Sequence, residues 1–417
     1  MHFEFNIRGL HHMAFLDRSI ASVYLAYAFQ ATAQAITWQF VTYFVKHELN
    51  AISFIEQSVA FALPAIVVMI MTNIWGSLSD RWRKRKMFMI LGFTGYASMF
   101  FLYAIVVDII QYLTVAAIGA AFYSAALPMG QAHLTTNVRN KGERLGYFVA
   151  AQSGGWFFGA LFGGILYDII GMRTLFVLAA FLSVAATAST IFLIRDIPFN
   201  VFQLVHKGNI RSLLRRPGMS RLTGAVLFSQ IGVNTISAFL AIMIVDELLG
   251  STAYVGFANS GATFIAVLIT GYVGKIVDRK GPVKVLIVAY FSYTIFAFIF
   301  GIVTDPILAT VLWALPIYPL SSTATSALAA MISGEDERGR AMSLIYGAQN
   351  AGTWIGPLIG GLLAEYVFLR VQPLSFINMV FNLVAMFLVI SLLRSYKKQG
   401  VNLLDSDIEP EDPHDFE

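Results

Sequence analysis

Twelve long stretches of this chain carry almost no charge, and that limits its fold more than any other feature. They run near 19–45, 52–75, 87–107, 110–136, 146–167, 173–194, 221–248, 253–277, 283–303, 306–332, 341–366 and 372–393. Each matches or exceeds the roughly 20 helical residues that cross a bilayer core of about 30 Å. Lipid offers no partner to a free backbone N–H or C=O, so such stretches must be helical. The chain is 57% hydrophobic and 12% charged, about half the charge usual in soluble domains. The expected fold class is an all-α membrane protein with twelve transmembrane helices.

Two landmarks then recur about 197 residues apart. Gly76-Ser-Leu-Ser-Asp80-Arg81 is echoed by Gly274-Lys-Ile-Val-Asp278-Arg279. The glycine row Gly155, Gly159, Gly163, Gly164 is echoed by Gly352, Gly356, Gly360, Gly361. A shared offset for two unrelated landmarks implies a duplicated unit of six spans, hence two pseudo-symmetric six-helix bundles. The expected organisation is a first bundle over 1–194, a cytoplasmic linker over 195–220, a second bundle over 221–393 and a cytoplasmic, disordered tail over 394–417. In so apolar a chain, duplication implies a transporter whose halves rock about a shared central site.

Charge placement sets the orientation. With both termini counted as cytoplasmic, 25 of the 28 Lys and Arg lie on the side where the even-numbered spans end, and only Lys46, Arg173 and Arg370 fall outside. The positive-inside bias therefore places both termini in the cytoplasm of a multi-pass plasma-membrane protein. The net charge of +4 calls for anionic lipid headgroups rather than a nucleic acid as partner. Residues 1–18 show no cleavage pattern, so the first span is expected to be permanent. The linker carries Lys207, Arg211, Arg215 and Arg216 and reads as a tether, partly an amphipathic surface helix. The absence of Cys excludes disulfides, thiolate metal sites and thiol catalysis. No phosphate-binding Gly-x-x-x-x-Gly-Lys-Ser/Thr run occurs, and no paired carboxylates or His-rich clusters fall within the spans. The expectation is a monomer that is not an enzyme and carries no cofactor or metal.

The loop after the second span, Gly76-Ser-Leu-Ser-Asp80-Arg81-Trp-Arg83-Lys84-Arg85-Lys86, resembles the signature of the major facilitator superfamily. That pattern reads Gly-x-Leu-x-Asp-Arg-x-Gly-Arg-Lys-x, and Arg83 stands where the family usually has Gly. The resemblance covers the whole chain, and among its branches the drug and small-molecule exporters are the most similar. It implies alternating access, with Gly76, Asp80, Arg81, Arg85 and their second-half counterparts Asp278 and Arg279 acting as a conformational latch. In that reading Asp80 meets the positive N-terminal end of the eleventh span near Gly339–Ala341. The glycine row of the fifth span resembles an antiporter signature, but Ala160 replaces its proline. The complete Gly356-Pro357 form lies in the eleventh span. The Arg that drug–proton antiporters carry in their fourth helix is absent, since Val115 stands four residues before Gly119.

No Asp or Glu falls in the middle third of a span, where proton carriers usually sit. Amides and aromatics stand there instead. Gln30, Gln34 and Trp38 recur on one face of the first span, and Gln230, Asn234 and Ser237 on one face of the seventh. The repeat pairs Gln34 with Gln230 and Gln152 with Gln349. A buried amide must face protein or a cavity rather than lipid, so these residues read either as helix–helix glue or as a cavity lining. Tyr123 and Gln131 of the fourth span, Tyr318 of the tenth, and Trp156 and Trp354 complete the expected substrate-binding set. Pro316 and Pro319 loosen the tenth span. His133 is the one embedded side chain that titrates near neutral pH, and with Glu247 it is the candidate for proton coupling.

The lining suits a small neutral or amphipathic solute, moved by secondary active transport and exported. Two other readings share these features: a lipid or glycolipid flippase on the same scaffold, and a transport-inactive membrane sensor or assembly protein. The latch gives the first testable outcome. Asp80→Asn should leave membrane insertion intact and shift the protein toward forms open on the cytoplasmic side, because a helix-terminus contact worth roughly 0.3–2 kcal/mol is lost. Label distances between the cytoplasmic ends of the two halves would report it, and an unchanged distribution would refute it.

Overall fold

The computed structural model describes residues 7–136, 140–196, 213–216, 218–333 and 337–398. The side chains of residues 7–18, Asp80, Lys397 and Lys398 lie outside that description. So do most of the expected linker and the tail from residue 399. Every regular element among the described residues is helical. In order they are α1 (Ile7–Trp38), α2 (Val41–His47), α3 (Phe54–Trp82), α4 (Arg85–Tyr103), α5 (Ile109–Leu134) and α6 (Lys141–Leu193). There follow α7 (Met219–Ser237), α8 (Thr252–Lys280), α9 (Pro282–Ile302), α10 (Pro306–Trp313), α11 (Ile317–Ile332), α12 (Arg338–Leu363) and α13 (Leu374–Lys398).

Several of these elements are broken where the sequence loosens the backbone. α6 is two helices joined at Gly171, whose φ of +76° no helix accommodates. After α7 the chain bends by 44° into Leu240–Glu247, whose last turn, Met243–Glu247, is π-helical. A second π-helical turn, Ala364–Phe368, follows α12. The tenth span breaks between α10 and α11, just before Pro316 and Pro319. Proline removes a backbone donor and crowds the preceding turn.

Among the described residues, 8 helices are long and apolar enough to cross a membrane, or 9 if the bent pair after α7 counts as one span. Each of the twelve stretches read as a span is nonetheless largely helical. α1 and α12 have the length but are too polar for that test, because Gln30 and Gln34 interrupt one and Gln349 and Asn350 the other.

The chain divides into two compact units. One comprises Met1–Leu204, Ala238–Phe264 and Asp305–Ala314; the other Val205–Ser237, Ile265–Thr304 and Leu315–Glu417. The stretches 238–264 and 305–314 thus group with the first half of the sequence. Two of the boundaries coincide with the breaks after α7 and after α10.

In the first unit, α1 lies flush on α6. A Cβ added at Gly155 or Gly159 would stand 2.5 Å from the carbonyl oxygen of Ala28 or Thr32. Only glycine permits that approach, and close backbone contact is how helices associate without a hydrophobic drive between them. The second unit repeats the device. A Cβ at Gly356 would stand 2.6 Å from the Ile231 carbonyl, holding α12 on α7. A Cβ added at Gly164 would stand 2.6 Å from Cα of Gly256 in α8, and the Thr252 hydroxyl donates to the Gly164 carbonyl at 2.9 Å. An aromatic core lies beside α1. Tyr27 packs edge-on against Phe93 and Phe148 at 5.1 and 4.9 Å, and its hydroxyl donates to the Ala126 carbonyl.

Helix ends repeat as well. Asp108 accepts from the Gln111 amide at 2.8 Å and caps α5; Asp305 accepts from the Leu308 amide at 2.7 Å and caps α10. At the other end of the repeat, α3 and α8 close identically. The amide of Arg83 donates to Ser79 at 2.8 Å, and that of Gly281 donates to Val277 at 2.9 Å. Both residues have positive φ, +56° and +79°. That is the glycine position of a helix C-terminus, and the first copy fills it with arginine. Arg83→Gly should therefore raise stability by about 0.5–1 kcal/mol, since the left-handed region costs an L-residue about 1–2 kcal/mol and glycine forfeits about 0.5–1 in chain entropy. Unfolding of the purified protein measures this, and a lowered midpoint would contradict it.

Candidate functional site

Within the first unit, the polar face of α1 brings together expected residues of α1, α5 and α6. Gln34 is half-buried, and its amide oxygen accepts from the Tyr123 hydroxyl of α5 at 3.2 Å. Tyr123 stacks on Tyr96 of α4, with ring centroids 4.4 Å apart and planes at 21°. One turn along α1, Trp38 meets Trp156 of α6 edge-on at 5.7 Å and Phe61 of α3 at 4.9 Å. These aromatic contacts add to burial and fix ring planes. Gln30 lies on the same helix, 2% exposed, and neither atom of its amide has a hydrogen-bond partner. Leaving a buried amide unpaired costs about 1–3 kcal/mol. Gln152 is half-buried and Gln131 exposed. His133 is 1% exposed, with both ring nitrogens unpartnered.

The second unit arranges its set differently. The Asn234 amide turns back to its own helix, donating to the Gln230 carbonyl at 2.8 Å. Gln230 and Gln349 line one small pocket with Ser229, Tyr290, Ser321 and Thr325, whose free volume of about 10 Å³ is that of a single water. Trp354 keeps a buried indole N–H without a partner, and Tyr318 is exposed.

The expected latch residues lie at helix ends. Arg85 donates to the Ala132 carbonyl at 2.5 Å and to the Thr136 hydroxyl, tying α4 to the end of α5. Arg81, Asp278 and Arg279 are exposed, and the side chain of Asp80 lies outside the described residues. A Cβ added at Gly76 or Gly274 would meet nothing within 4 Å, so no neighbouring helix presses on either glycine.

Two polar groupings of the first unit escape a reading of the sequence. In one, Trp313 of α10 donates to Asn259 of α8 at 3.2 Å, and Asn259 donates to Gln39 at 3.0 Å. Gln39 in turn donates to the Ala160 carbonyl of α6 at 2.9 Å. The other lies at the α2 end of the unit, where Lys46 Nζ is 2.5 Å from Asp246 Oδ2 and His47 Nε2 is 3.0 Å from the same oxygen. Nearby, Arg173 Nε pairs with Glu48 at 3.1 Å and Ser251 donates to Asp168 at 3.2 Å. Burial pushes the Glu48 carboxyl above its ordinary value, and the Arg173 guanidinium opposes that shift. Glu247 is half-buried in the π-helical turn beside Asp246. Unlike charges at matching ends of the first and seventh spans were the only sequence signal for this grouping.

The fold and sequence both have known relatives. The chain is 28% identical over 350 residues to the multidrug resistance protein MdtG of Escherichia coli, covering 81% of this chain and 84% of that protein. It is 29% identical over 250 residues to MdtG of Salmonella arizonae, covering 58% and 60% respectively. Among solved structures, the nucleoside transporter NupG superposes with a TM-score of 0.75 at 14% identity, over 91% of this chain and 99% of that one. A bacterial homologue of the human lysosomal transporter Spinster, inward-facing and occupied, gives 0.74 at 13% identity, over 92% and 98%. The sequence profile of the Major Facilitator Superfamily matches residues 23–320 and 222–407. With helices throughout, apolar spans and repeated glycine packing on the page, the chain belongs to the major facilitator superfamily, a family of multi-pass membrane transporters.

Proposed function

We propose that this protein is a secondary transporter of the plasma membrane that exports small neutral or amphipathic compounds by alternating access. It works as a monomer with both termini in the cytoplasm, where its basic loops meet anionic lipid. The observation that carries this reading is the α1 face, where Gln30, Gln34, Trp38, Tyr123 and Trp156 supply amides and rings but no fixed charge. Among the described residues, no Asp, Glu, Lys or Arg is fully buried. A strongly ionic solute would want such a counter-charge. A solute with an apolar body and one or two hydrogen-bonding groups would satisfy the Gln30 amide and stack on the rings. The multidrug resistance names of the relatives point the same way.

Ligand-induced thermal stabilisation, across neutral, cationic and anionic compounds, tests the substrate class, because a bound solute raises the unfolding midpoint. Gln34→Ala, and Tyr123→Phe beside it, should weaken binding of a stabilising compound by about 1–3 kcal/mol, the cost of an unpaired buried partner. Stability should fall less than affinity does. Should Gln34→Ala lower the midpoint while affinity stays the same, the glutamine is structural and the α1 face is not the site.

A proton-driven exporter needs a titrating group within the bundle, and we propose His133 and Glu247 for that role. Replacing each in turn, His133→Ala and Glu247→Gln, should reduce pH-gradient-driven transport in proteoliposomes at least tenfold for the true carrier, since general proton-transfer groups contribute factors of that order or more. Full gradient-driven transport in both variants would remove both from consideration.

A further inference from the structure

We propose that Asn259 and Trp313 are positioning residues for the α1 face: through a one-way relay of hydrogen bonds they fix Gln39, and with it the Trp38–Trp156 ring pair. The inference rests on the reading of that face as the solute site only for what the rings do, not for how they are held.

The relay begins at the indole of Trp313 in α10, which donates to Asn259 Oδ1 at 3.2 Å. Asn259 Nδ2 donates to Gln39 Oε1 at 3.0 Å and to the Val255 carbonyl of its own helix at 3.1 Å. Gln39 Nε2 then donates to the Ala160 carbonyl of α6 at 2.9 Å. Both ends admit one direction only, because an indole N–H can only donate and a carbonyl oxygen can only accept. That settles the orientation of the two amides between them. Every nitrogen and oxygen of those amides is engaged, so neither amide can turn without abandoning a partner. Satisfied networks of this kind hold one geometry.

Gln39 sits where the backbone leaves the helix. α1 ends at Trp38 and α2 starts at Val41, and across the break the Phe40 amide donates to the Thr37 carbonyl at 3.0 Å. Gln39 is 8% exposed, and Gly163 leaves its amide room, since a Cβ there would stand 3.0 Å from Nε2. Its anchor Ala160 follows Trp156 on α6 by about one helical turn. One side chain therefore ties the end of α1 to the part of α6 that carries Trp156. Trp38, the residue before Gln39, meets Trp156 at 5.7 Å with planes at 85°, and Phe61 at 4.9 Å. An edge-to-face pair depends on ring plane as well as distance, so a rotation at the break alters it directly.

The far end of the relay lies in the two later stretches that group with the first half of the sequence. Asn259 belongs to Ala238–Phe264 and Trp313 to Asp305–Ala314. Phe157 against Phe264, with centroids 5.6 Å apart, adds a second contact between α6 and α8. A displacement of either stretch is passed to the Trp38 ring through Gln39.

The test uses the full chain in lipid nanodiscs with its 6 tryptophans replaced by 5-fluorotryptophan, the fluorine resonances of Trp38 and Trp156 being assigned with Trp38→Phe and Trp156→Phe. Asn259→Leu has a similar volume but can neither donate nor accept, so Gln39 Oε1 loses its partner. In the empty protein it should shift the Trp38 and Trp156 resonances and leave those of Trp75 and Trp82, toward the other end of α3 from Phe61, in place. An Asn259 that only joins helices would move the Trp313 signal without those of Trp38 and Trp156, and that result overturns the proposal. Trp313→Phe removes the one-way donor and frees the Asn259 amide to turn, which should split or broaden the Trp38 signal. Should Asn259→Leu fail to fold, Trp313→Phe decides alone, and an unchanged Trp38 signal overturns the relay. The neutral fluorophore N-phenyl-1-naphthylamine, an apolar body with one N–H, then probes the site. On titration it should move the wild-type Trp38 resonance, and Asn259→Leu should raise the midpoint roughly fivefold, within the couplings found inside one hydrogen-bond network. An unchanged midpoint overturns the positioning role. A fluorophore that leaves the wild-type Trp38 signal in place counts against the solute reading instead, and the ring shifts of the empty protein still decide the relay.

Discussion

At Gly155 and Gly159 the backbone of α6 meets that of α1 with no side chain between them, and at Gly356 α12 meets α7 in the same way. In lipid there is no hydrophobic drive to press helices together, so packing of this closeness and the hydrogen bonds it allows must hold them. The consequence reaches beyond stability. Once α1 is pinned to α6 along its glycine-facing side, its remaining sides have fixed directions. Tyr27 is aimed into the aromatic core against Phe93 and Phe148, Gln34 reaches Tyr123, and Trp38 reaches Trp156. A larger residue in the row would move the helix and all four contacts with it.

The parts of this architecture that were legible in the sequence are those written by local pattern. Long uncharged runs dictated helices. The repeat located the glycine rows that pack α6 on α1 and α12 on α7. The spacing of Gln30, Gln34 and Trp38 put them on one face, and the structure brings Gln34 and Trp38 into contact with residues of α5, α3 and α6. The departure at Arg83 was visible, but its meaning was not. Only the backbone shows that this residue takes the left-handed turn that Gly281 takes in the second copy.

What stayed hidden depends on pairs distant in sequence. Asn259 and Gln39 stand 220 residues apart, and His47 and Asp246 199 apart. No periodicity links such positions, and each residue alone reads as an ordinary polar group near a helix end. Gln39 falls in the break between α1 and α2, outside the helical pattern that drew attention to Gln34. The regrouping of 238–264 and 305–314 with the first half is of the same kind. It follows from the bend after α7 and the break before Pro316, whose sizes depend on packing rather than on the residues that permit them.

The buried groups left without partners bear most directly on function. A protein selected only to fold would replace Gln30 by leucine, because an unpaired buried amide costs about 1–3 kcal/mol and an apolar side chain of similar size costs nothing comparable. Gln30, His133 and the indole of Trp354 have no protein partner among the described residues. Groups of this kind are retained when another conformation or a bound molecule satisfies them. On the α1 face Gln34 already accepts from Tyr123 and the Tyr96 and Tyr123 rings are stacked, while the buried Gln30 amide has no protein partner for either its donor or its acceptor. The neutral or amphipathic solute proposed above would answer it with one hydrogen-bonding group beside an apolar body.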